Sequence, residues 1–534
     1  MKNENKQKSI VSKGISLSIL TLGSRILGLL REMIKARFLG TGILSDAFQI
    51  AFKIPNLFRR LFAENSVSVA FIPTFKQYLE DSDTAEGKKT TQQFINATFT
   101  FVSFVTVVFV SIGMIFTPQI IRIFFNKEIG AEAFNETVFL TRIMFPYLVI
   151  ISIAALFQGI LNGLKIFSPS GFTPILFNGI IILSTYLLSP KMSNPARAMS
   201  VGVITGGIVQ AVFQLPFVLK NNWKIGFTSL KKAFTNPGTR KVIKLVGPTI
   251  IGMASYQLNE VVSSALATRV AGTGVLSSLD YSLRIQELIL GICAVTIGTV
   301  ILPDLTGYAK KLEWNKFNSV LSHSIKIMSF IAIPVTFYAI IMSENIITLL
   351  FASGKFDSKS VAMTTKIFHF HIAGLLFIAL NRIIAPAFYA QNNTLYPAIA
   401  GVINSTMNII LASVFVNFWG GQGIALALSI ASLCNTVALF LFFKKTPNVD
   451  TKGILKSSIL YALKMVVFSV IASVPVYILH DRIVDLFAGH NRFYSQGFPI
   501  ILTGIIFAVI GLALMFFTKD PLLKTVTNKL SRRK

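Results

Sequence analysis

The chain contains 534 residues, of which 53% are hydrophobic and 13% charged, and its mean hydropathy is +0.66. A soluble globule of this composition would expose far more apolar surface than water tolerates, so we expect a membrane protein. The net charge of +28 at pH 7 does not indicate a nucleic-acid partner, because most lysines and arginines lie in short loops between long apolar segments.

The apolar segments predict an all-α polytopic membrane protein with about fourteen membrane-spanning helices, since a helix needs about 20 apolar residues to cross the hydrocarbon core. The segments are continuously apolar and too long for the alternating strands of a β-barrel. In chain order the predicted spans are residues 10–38, 45–75, 93–121, 138–163, 170–190, 198–219, 241–268, 278–305, 318–343, 361–390, 395–416, 423–443, 457–479 and 496–517.

The distribution of positive charge predicts the orientation. With a cytoplasmic N-terminus, the cytoplasmic segments carry about 27 Lys and Arg residues and the outer loops about 9. The basic N-terminal tail has no small-residue cleavage site before Arg25, so we expect it to be retained. Both termini are therefore predicted to be cytoplasmic, as an even number of crossings requires.

Two pairs of segments repeat at an offset of about 230 residues. SDAF at Ser45 is echoed by LDYS at Leu279, and FQGILNGLKIFSPSGFTPILFN from Phe157 is echoed by FYAQNNTLYPAIAGVINSTMN from Phe388. We predict two six-helix lobes, residues 1–222 and 235–446, related by a pseudo-two-fold axis along the membrane normal. Residues 447–534, with helices thirteen and fourteen and a basic tail, fall outside the repeat.

Several charged residues interrupt the first two predicted helices. Each charge near the bilayer centre costs about 2.5–3.5 kcal/mol on insertion scales, so these residues need a hydrated cavity or a partner. Arg25 and Arg59 lie 13 to 15 residues from a predicted helix end, about 20 Å along the axis. Arg31 lies six residues after Arg25, and a bend at Gly23 or Gly28 could bring both toward one cavity. The sequence predicts that these three arginines line it.

Other charges have simpler explanations. Arg60 and Glu64 are four residues apart and can form a salt bridge on one helix face. Lys35 and Arg37 lie near the predicted outer end of the first helix and are expected to extend to the membrane surface.

The second half contributes one further candidate, Arg284. It can pair with Glu287, three residues later. Its helix is the repeat mate of the second helix, and Arg284 follows Asp280 much as the basic stretch of that helix follows Asp46. We therefore predict that Arg284 also faces the cavity.

A cavity with several guanidinium groups is suited to diphosphate, because guanidinium is a planar fork of donors that stays charged and binds phosphate bidentately. A proton relay would need Asp, Glu and His, which are few in the spans. No motif indicates ATP hydrolysis or covalent catalysis, so a transporter is predicted rather than an enzyme. Cys293 and Cys434 lie in apolar segments, and His369 and His371 point to opposite sides of a helix, so no metal or cofactor is predicted.

The sequence closely resembles a known family in its first 80 residues. SRILGLLREMIKARFLG and SDAFQIAFKIPNLFRRLFAENSVSVAFIPTF resemble the N-terminal signature of the bacterial lipid II flippases (MurJ, also called MviN) of the MOP exporter superfamily. FPY at Phe145, ILPDL at Ile301, LLFASGKFD at Leu349 and APAFYAQNNTLYPA at Ala385 extend the resemblance over nearly the whole chain.

The resemblance implies two six-helix lobes around a cationic cavity, with the last two helices forming a groove for the lipid tail. It implies alternating-access export of lipid II, the undecaprenyl-diphosphate-linked peptidoglycan precursor, to the outer leaflet of the bacterial cytoplasmic (inner) membrane. The implied partners are lipid II, membrane lipids and, as a further candidate, the cell-wall synthesis machinery.

The resemblance also implies site residues. The family's substrate-binding arginines fall on Arg25, Arg31, Arg59 and Arg284. Supporting cavity residues fall on Ser24, Glu32, Asp46, Arg60, Glu64 and Glu287, with Glu32 standing where the family often has Asp. Some members bind sodium through aspartates of helices seven, eleven and twelve, but these predicted spans contain no Asp here, so no sodium site is expected.

Three alternatives remain open at this stage. A flippase for lipid-linked polysaccharide repeats would also bind a diphosphate lipid. A multidrug antiporter of the same superfamily would need acidic groups for its cations, whereas this cavity is predicted to be cationic. A membrane scaffold for cell-wall enzymes would tolerate Arg→Lys changes that a bidentate diphosphate site would not.

Overall fold

The computed structural model of the chain describes residues 2–60, 67–125, 130–270 and 272–523, and all regular secondary structure within these ranges is helical. The predicted all-α class is confirmed. The α-helices are α1 (Lys2–Leu39), α2 (Ile43–Arg59), α3 (Ile72–Glu80), α4 (Ala85–Ile115), α5 (Thr117–Phe124), α6 (Ala131–Met144), α7 (Tyr147–Gly163), α8 (Ser168–Leu188), α9 (Pro195–Lys220), α10 (Leu230–Thr235), α11 (Pro237–Arg269), α12 (Val275–Lys310), α13 (Trp314–Ile341), α14 (Ser343–Phe351), α15 (Ser358–Ala373), α16 (Leu375–Tyr389), α17 (Leu395–Phe443), α18 (Thr451–Leu486) and α19 (Arg492–Phe517).

Each predicted span corresponds to one or more of these helices. Within the described ranges, nine stretches are long and apolar enough to cross a membrane, and α1, α2, α11 and α12 are not among them. One of the nine combines α6 with α7, and another combines α15 with α16. The count of fourteen crossings stays a prediction, with which the order of the helices agrees.

The longest helix, α17, contains two predicted spans and breaks between them at Gly420. An unbroken helix of its 49 residues would be about 74 Å long, more than twice the thickness of the hydrocarbon core. Gly420 has φ +54° and ψ −131°, a conformation that side chains disfavour and that glycine adopts readily. A Cβ atom at this position would also lie 3.2 Å from the Val270 side chain. Glycine therefore permits the break that separates residues 395–419 from 421–443.

The chain forms two compact units, Met1–Arg269 and Val270–Lys534. In the first unit, α2, α6, α7, α8 and α9 share a core that includes Phe48, Tyr147 and Phe177. Helices α8 and α9 approach closely because α9 presents glycine there: a Cβ atom at Gly206 would lie 2.9 Å from Phe177. Small residues at helix contacts are the usual means of close packing within membranes.

The first unit also contains α11, which packs against α2, α3, α4 and α5. Because of this packing, the compact unit extends to Arg269, beyond the boundary near residues 222–235 expected from the repeat. The lobe boundaries drawn from the repeat stay a prediction.

The second unit consists of α12 to α19. His371 pairs its Nδ1 with the Ser282 hydroxyl at 2.7 Å, and His369 pairs its Nε2 with the Ser343 hydroxyl at the same distance. The two histidines therefore have separate partners, as their spacing on one helix predicted. Helices α18 and α19 pack against α13, with Ala472, Val476 and Phe507 buried in their apolar contact.

Candidate substrate-binding site

Three charged residues of α1 form an ion-pair cluster. Arg31 Nη2 lies 2.6 Å from Glu32 Oε1, and Lys35 Nζ lies 2.5 Å from Glu32 Oε2. The side chains of Arg31, Glu32 and Lys35 are only 17%, 5% and 4% exposed. Charges this buried need close partners, because their desolvation is otherwise uncompensated. Each oxygen of the Glu32 carboxylate here contacts one cation.

Asn178 of α8 connects this cluster to the rest of α1. Its Oδ1 accepts a hydrogen bond from Arg31 Nη1 at 3.1 Å, and its Nδ2 donates to the carbonyl of Ser24 at 3.4 Å. The Arg31 guanidinium is thus held from two sides, by Glu32 of its own helix and by Asn178. Gly28 faces the same amide, since a Cβ atom there would lie 3.7 Å from Asn178 Nδ2. A side chain at this position would make only ordinary van der Waals contact with α8, and α1 runs through this region as a continuous helix.

Sequence reasoning missed Asn178 because it considered only charged residues. One signal was nevertheless available. The two repeated segments quoted above both end in asparagine, Asn178 in the first half and Asn408 in the second. Both side chains are buried, at 7% and 2% exposure. A repeated polar residue at the end of an apolar segment would have indicated a structural hydrogen bond in each half.

Arg25 differs from Arg31 in its partners. It is half-buried, and it makes no ion pair or hydrogen bond with another residue in the described part of the chain. Measured from Leu39, where α1 ends, Arg25 lies about 21 Å and Arg31 about 12 Å along the axis. The five donors of the Arg25 guanidinium are therefore available to a ligand at a deeper level than the cluster around Arg31.

In α2, the buried Asp46 lies in the first turn, where a carboxylate is favoured by the helix dipole. Arg59 Nε donates to Asn56 Oδ1 at 2.8 Å and lies about 24 Å along the axis from Ile43, where α2 begins. Because a short turn joins α1 to α2, Arg59 and Arg25 lie at similar distances from that turn. The expected pair of Arg60 with Glu64 stays a prediction, since Glu64 lies outside the described residues.

A second polar contact joins α2 to α11. Lys53 Nζ donates to the Ser264 hydroxyl at 2.9 Å and lies 3.8 Å from Glu260 Oε2. The side chains of Lys53 and Glu260 are each 29% exposed, so the ion pair is partly hydrated. Sequence reasoning did not single out Glu260, although it is the sole acidic residue of the predicted span 241–268. An ionisable residue within a span is by itself a reason to expect a partner.

Lys35 does not extend to the membrane surface as expected. It is buried and paired with Glu32, so that prediction is wrong. A carboxylate one turn away offers the ammonium a partner without the extended conformation that reaching the interface requires. Arg37, for which the same was expected, is exposed.

In the second unit, Arg284 Nη1 lies 2.9 Å from Glu287 Oε2, the pairing that their spacing allows. The two side chains are 39% and 48% exposed, so the pair is well hydrated and weak. Arg284 follows the buried Asp280 by about 6 Å along the helix, whereas Arg59 follows Asp46 by about 20 Å. Arg59 and Arg284 therefore do not occupy equivalent positions along their own helices. That Arg284 shares a cavity with the arginines of α1 and α2 stays a prediction.

The second unit also contains an apolar cavity of about 500 Å³ between α13, α18 and α19. Tyr338 lines this cavity, and its hydroxyl is hydrogen-bonded to the carbonyl of Ile500 and to the hydroxyl of Thr503. Most of the other lining residues are apolar, among them Phe330, Pro334, Phe468, Ala472 and Phe507. Such a cavity can accommodate a hydrocarbon chain but offers little to a polar ligand.

Comparison with known proteins identifies the family. The sequence model of the lipid II flippase MurJ family matches residues 35–490. The probable lipid II flippase MurJ of Treponema pallidum is 44% identical over 516 residues, covering 96% of this chain and 97% of the relative. A structure of lipid II flippase MurJ in an inward closed conformation matches with a TM-score of 0.78 and 28% identity, over 95% of this chain and 100% of the other.

The fold is shared more widely. An inward-facing multidrug transporter of the MATE family in the MOP superfamily matches with a TM-score of 0.66 over 82% of this chain and 99% of the other, at 13% identity. The family match and the similar MurJ structure show that the chain is a multi-pass membrane transporter and not an enzyme. Within that class, the chain belongs to the lipid II flippase MurJ family.

Proposed function

We propose that the chain moves lipid II from the inner to the outer leaflet of the bacterial cytoplasmic membrane, with both of its termini in the cytoplasm. Family membership supports this function. The observation that carries the substrate assignment is the pre-oriented guanidinium of Arg31, held by Glu32 and Asn178, with the available guanidinium of Arg25 two turns away on the same helix.

The charges of this part of α1 suit a lipid-linked diphosphate. Arg25 and Arg31 are the two guanidinium groups of this segment, and Arg31 is oriented by its pair with Glu32. A diphosphate diester carries about two negative charges, which guanidinium groups bind well. Arg25 would make the bidentate contact to phosphate, and Arg31 would contribute its remaining donors from a fixed orientation.

The lipid tail would remain in the hydrocarbon phase throughout. The apolar cavity between α13, α18 and α19 has the lining that an isoprenoid chain needs. In this scheme, alternating access exposes the arginines first to the cytoplasmic side and then to the outer side, and Arg59 and Arg284 are the other proposed substrate-binding residues. Membrane lipids and the cell-wall synthesis machinery are the other proposed partners.

The test is functional replacement in a bacterium depleted of its own lipid II flippase. We expect the unmodified chain to support growth and the variants Arg25→Ala, Arg31→Ala and Arg59→Ala to fail at equal membrane abundance. Arg37→Ala is the matched control, because Arg37 is an exposed arginine of the same helix. Growth supported by Arg25→Ala and Arg31→Ala would contradict the proposed diphosphate site.

A second assay separates the substrates. In spheroplasts, the fraction of labelled lipid II that reaches the outer leaflet is measured by its accessibility to a membrane-impermeant hydrolase. We expect this fraction to rise with the chain and not with the alanine variants. Transport of a lipid-linked polysaccharide repeat but not of lipid II would assign the chain to the alternative substrate.

A further inference from the structure

Residues 223–235 connect α9 to α11, and we call this segment the strap. The strap lies along the side of α4 and is hydrogen-bonded to it. Three polar side chains of α4, spaced four residues apart, bind its backbone. Gln92 Oε1 accepts from the amide of residue 224 at 3.0 Å, Asn96 Oδ1 from that of residue 226 at 3.3 Å, and Thr100 Oγ1 from that of residue 228 at 2.9 Å. The strap therefore has a defined position on a membrane-spanning helix, rather than being a loop in solvent.

The strap points apolar side chains outward. Phe227, Leu230 and Phe234 are 75%, 43% and 41% exposed. Phe234 packs edge-on against Phe101 and Phe104 of α4, with ring centroids 5.1 and 6.1 Å apart.

The strap lies next to a lipid-facing surface of α4. Phe104 is 40% exposed and begins a stripe that continues, at helical spacing, through Val108, Ile112 and Ile115, which are 41%, 51% and 67% exposed. Because α4 is apolar and long enough to cross the membrane, this stripe faces the acyl chains. The contact with Phe104 therefore places Phe234 beside the first exposed side chain of the stripe, at the end of the stripe nearer the start of α4.

The same strap is strongly basic. Lys224, Lys231 and Lys232 are exposed, and the sequence contains no Asp or Glu between Glu136 and Glu260. Exposed aromatic and aliphatic groups beside lysines are typical of segments that lie in the interfacial layer and attract anionic headgroups. Neutral headgroups would satisfy the apolar residues but would leave the cluster of lysines without counter-charges.

We propose that the strap is a binding surface for anionic phospholipid headgroups in the leaflet where α4 begins. In the orientation proposed above, this is the cytoplasmic leaflet. Phe227, Leu230 and Phe234 insert among the upper acyl chains, while Lys231 and Lys232 contact lipid phosphates. The proposal needs only that α4 spans the membrane, and it does not depend on lipid II being the substrate.

The experiment uses the full-length protein reconstituted in vesicles and a fluorescent reporter on the strap. The reporter is the tryptophan of the variant Phe227→Trp, made in a protein in which Trp314 and Trp419 are replaced by phenylalanine. The fluorescence of the same protein with Phe227 unchanged is measured separately and subtracted. Quenching is compared between vesicles that contain brominated phosphatidylglycerol and vesicles that contain brominated phosphatidylcholine. We expect quenching by both lipids, and stronger quenching by the anionic one at low salt.

Charge variants then test the lysines. A lysine beside an anionic surface contributes on the order of a fivefold preference for anionic over neutral lipid at low ionic strength. The double variant Lys231→Gln and Lys232→Gln should therefore lose most of the excess quenching by brominated phosphatidylglycerol over brominated phosphatidylcholine. The matched control is the double variant Lys444→Gln and Lys445→Gln, which changes an exposed pair outside the strap. It should leave the preference for the anionic lipid unchanged. In the unmodified strap the preference should also fall as salt is raised, because exposed charges are screened.

Two results would overturn the proposal. If neither brominated lipid quenches the reporter, the strap does not lie in the interface. If both lipids quench equally at low salt, the strap is interfacial but does not recognise anionic headgroups. All the lysines exchanged are exposed, and the salt dependence is measured without changing any lysine, so neither result can be attributed to misfolding of a charge variant.

Discussion

Replacing Arg31 with lysine preserves the charge of the proposed site but removes its geometry. The guanidinium uses two nitrogens for two acceptors on different helices, Nη1 for Asn178 Oδ1 at 3.1 Å and Nη2 for Glu32 Oε1 at 2.6 Å. A lysine has a single terminal nitrogen. We expect it to stay with the Glu32 carboxylate, because that contact joins opposite charges, and to leave the buried Asn178 amide without its cationic donor.

The magnitude follows from the bond that is lost. A hydrogen bond to a charged group contributes about 1.5–3 kcal/mol. If the orientation of Arg31 is needed when the diphosphate is carried across, this loss corresponds to a reduction in transport rate of roughly 10-fold to 150-fold, at about 1.4 kcal/mol for each factor of ten. Arg37→Lys, on the same helix but exposed, should change the rate by less than about twofold, as expected for a surface substitution.

The assay is the initial rate at which labelled lipid II becomes accessible at the outer leaflet, at matched protein abundance. Asn178→Leu removes the same bond from the other side and should give a loss similar to that of Arg31→Lys. Because both changes remove one interaction, the double variant should be little worse than either single variant.

Two results would refute this reasoning. If Arg31→Lys transports as fast as the unmodified chain, the orientation of the guanidinium is irrelevant and only its charge acts. If the losses of the two single variants multiply in the double variant, Asn178 does not act through Arg31.

Three further changes test the packing and the polar contacts through thermal unfolding in detergent. Lys464→Met should destabilise the protein by about 3–5 kcal/mol, because it leaves a buried carboxylate without its cation. Lys464 Nζ lies 2.7 Å from the carboxylate of Asp520, whose side chain is fully buried. Unchanged stability would contradict the role of this pair. Gly206→Leu should cost about 1–3 kcal/mol by overpacking against Phe177, and a neutral result would mean that α8 and α9 can separate without loss. Hydrogen bonds from the backbone amide and then the hydroxyl of Ser360 lower the pKa of Asp357, which caps α15. Asp357→Ala should therefore lower the free energy of unfolding by about 1 kcal/mol near neutral pH. The difference in stability between the variant and the unmodified protein should disappear as pH falls through the lowered pKa of Asp357. A difference that persists in strong acid would contradict this role of the carboxylate.

The fold class was predictable because it depends on properties that are local in the sequence. An apolar stretch of about 20 residues favours a membrane-spanning helix whatever its neighbours are, so each predicted span has a helical counterpart. The break at Gly420 was predictable for the same reason, since the separation of two spans requires a reversal between them. The cost of burying charge also identified α1 and α2 as unusual, and Arg31 does have buried ion-pair partners.

What only the tertiary structure decided is which helix faces meet. Asn178 is 147 residues from Arg31, and Ser264 is 211 residues from Lys53, so no periodicity in the sequence could pair them. Lys35 was predicted incorrectly for the same reason, because its burial depends on how α1 packs in the fold and not on its distance from a helix end. The strap also depends on tertiary structure, since its sequence alone is a basic loop and its position comes from three polar side chains of α4. Composition and periodicity determine that these helices form and enter a membrane, but a hydrogen bond or ion pair between distant residues exists only where packing brings its two atoms within reach.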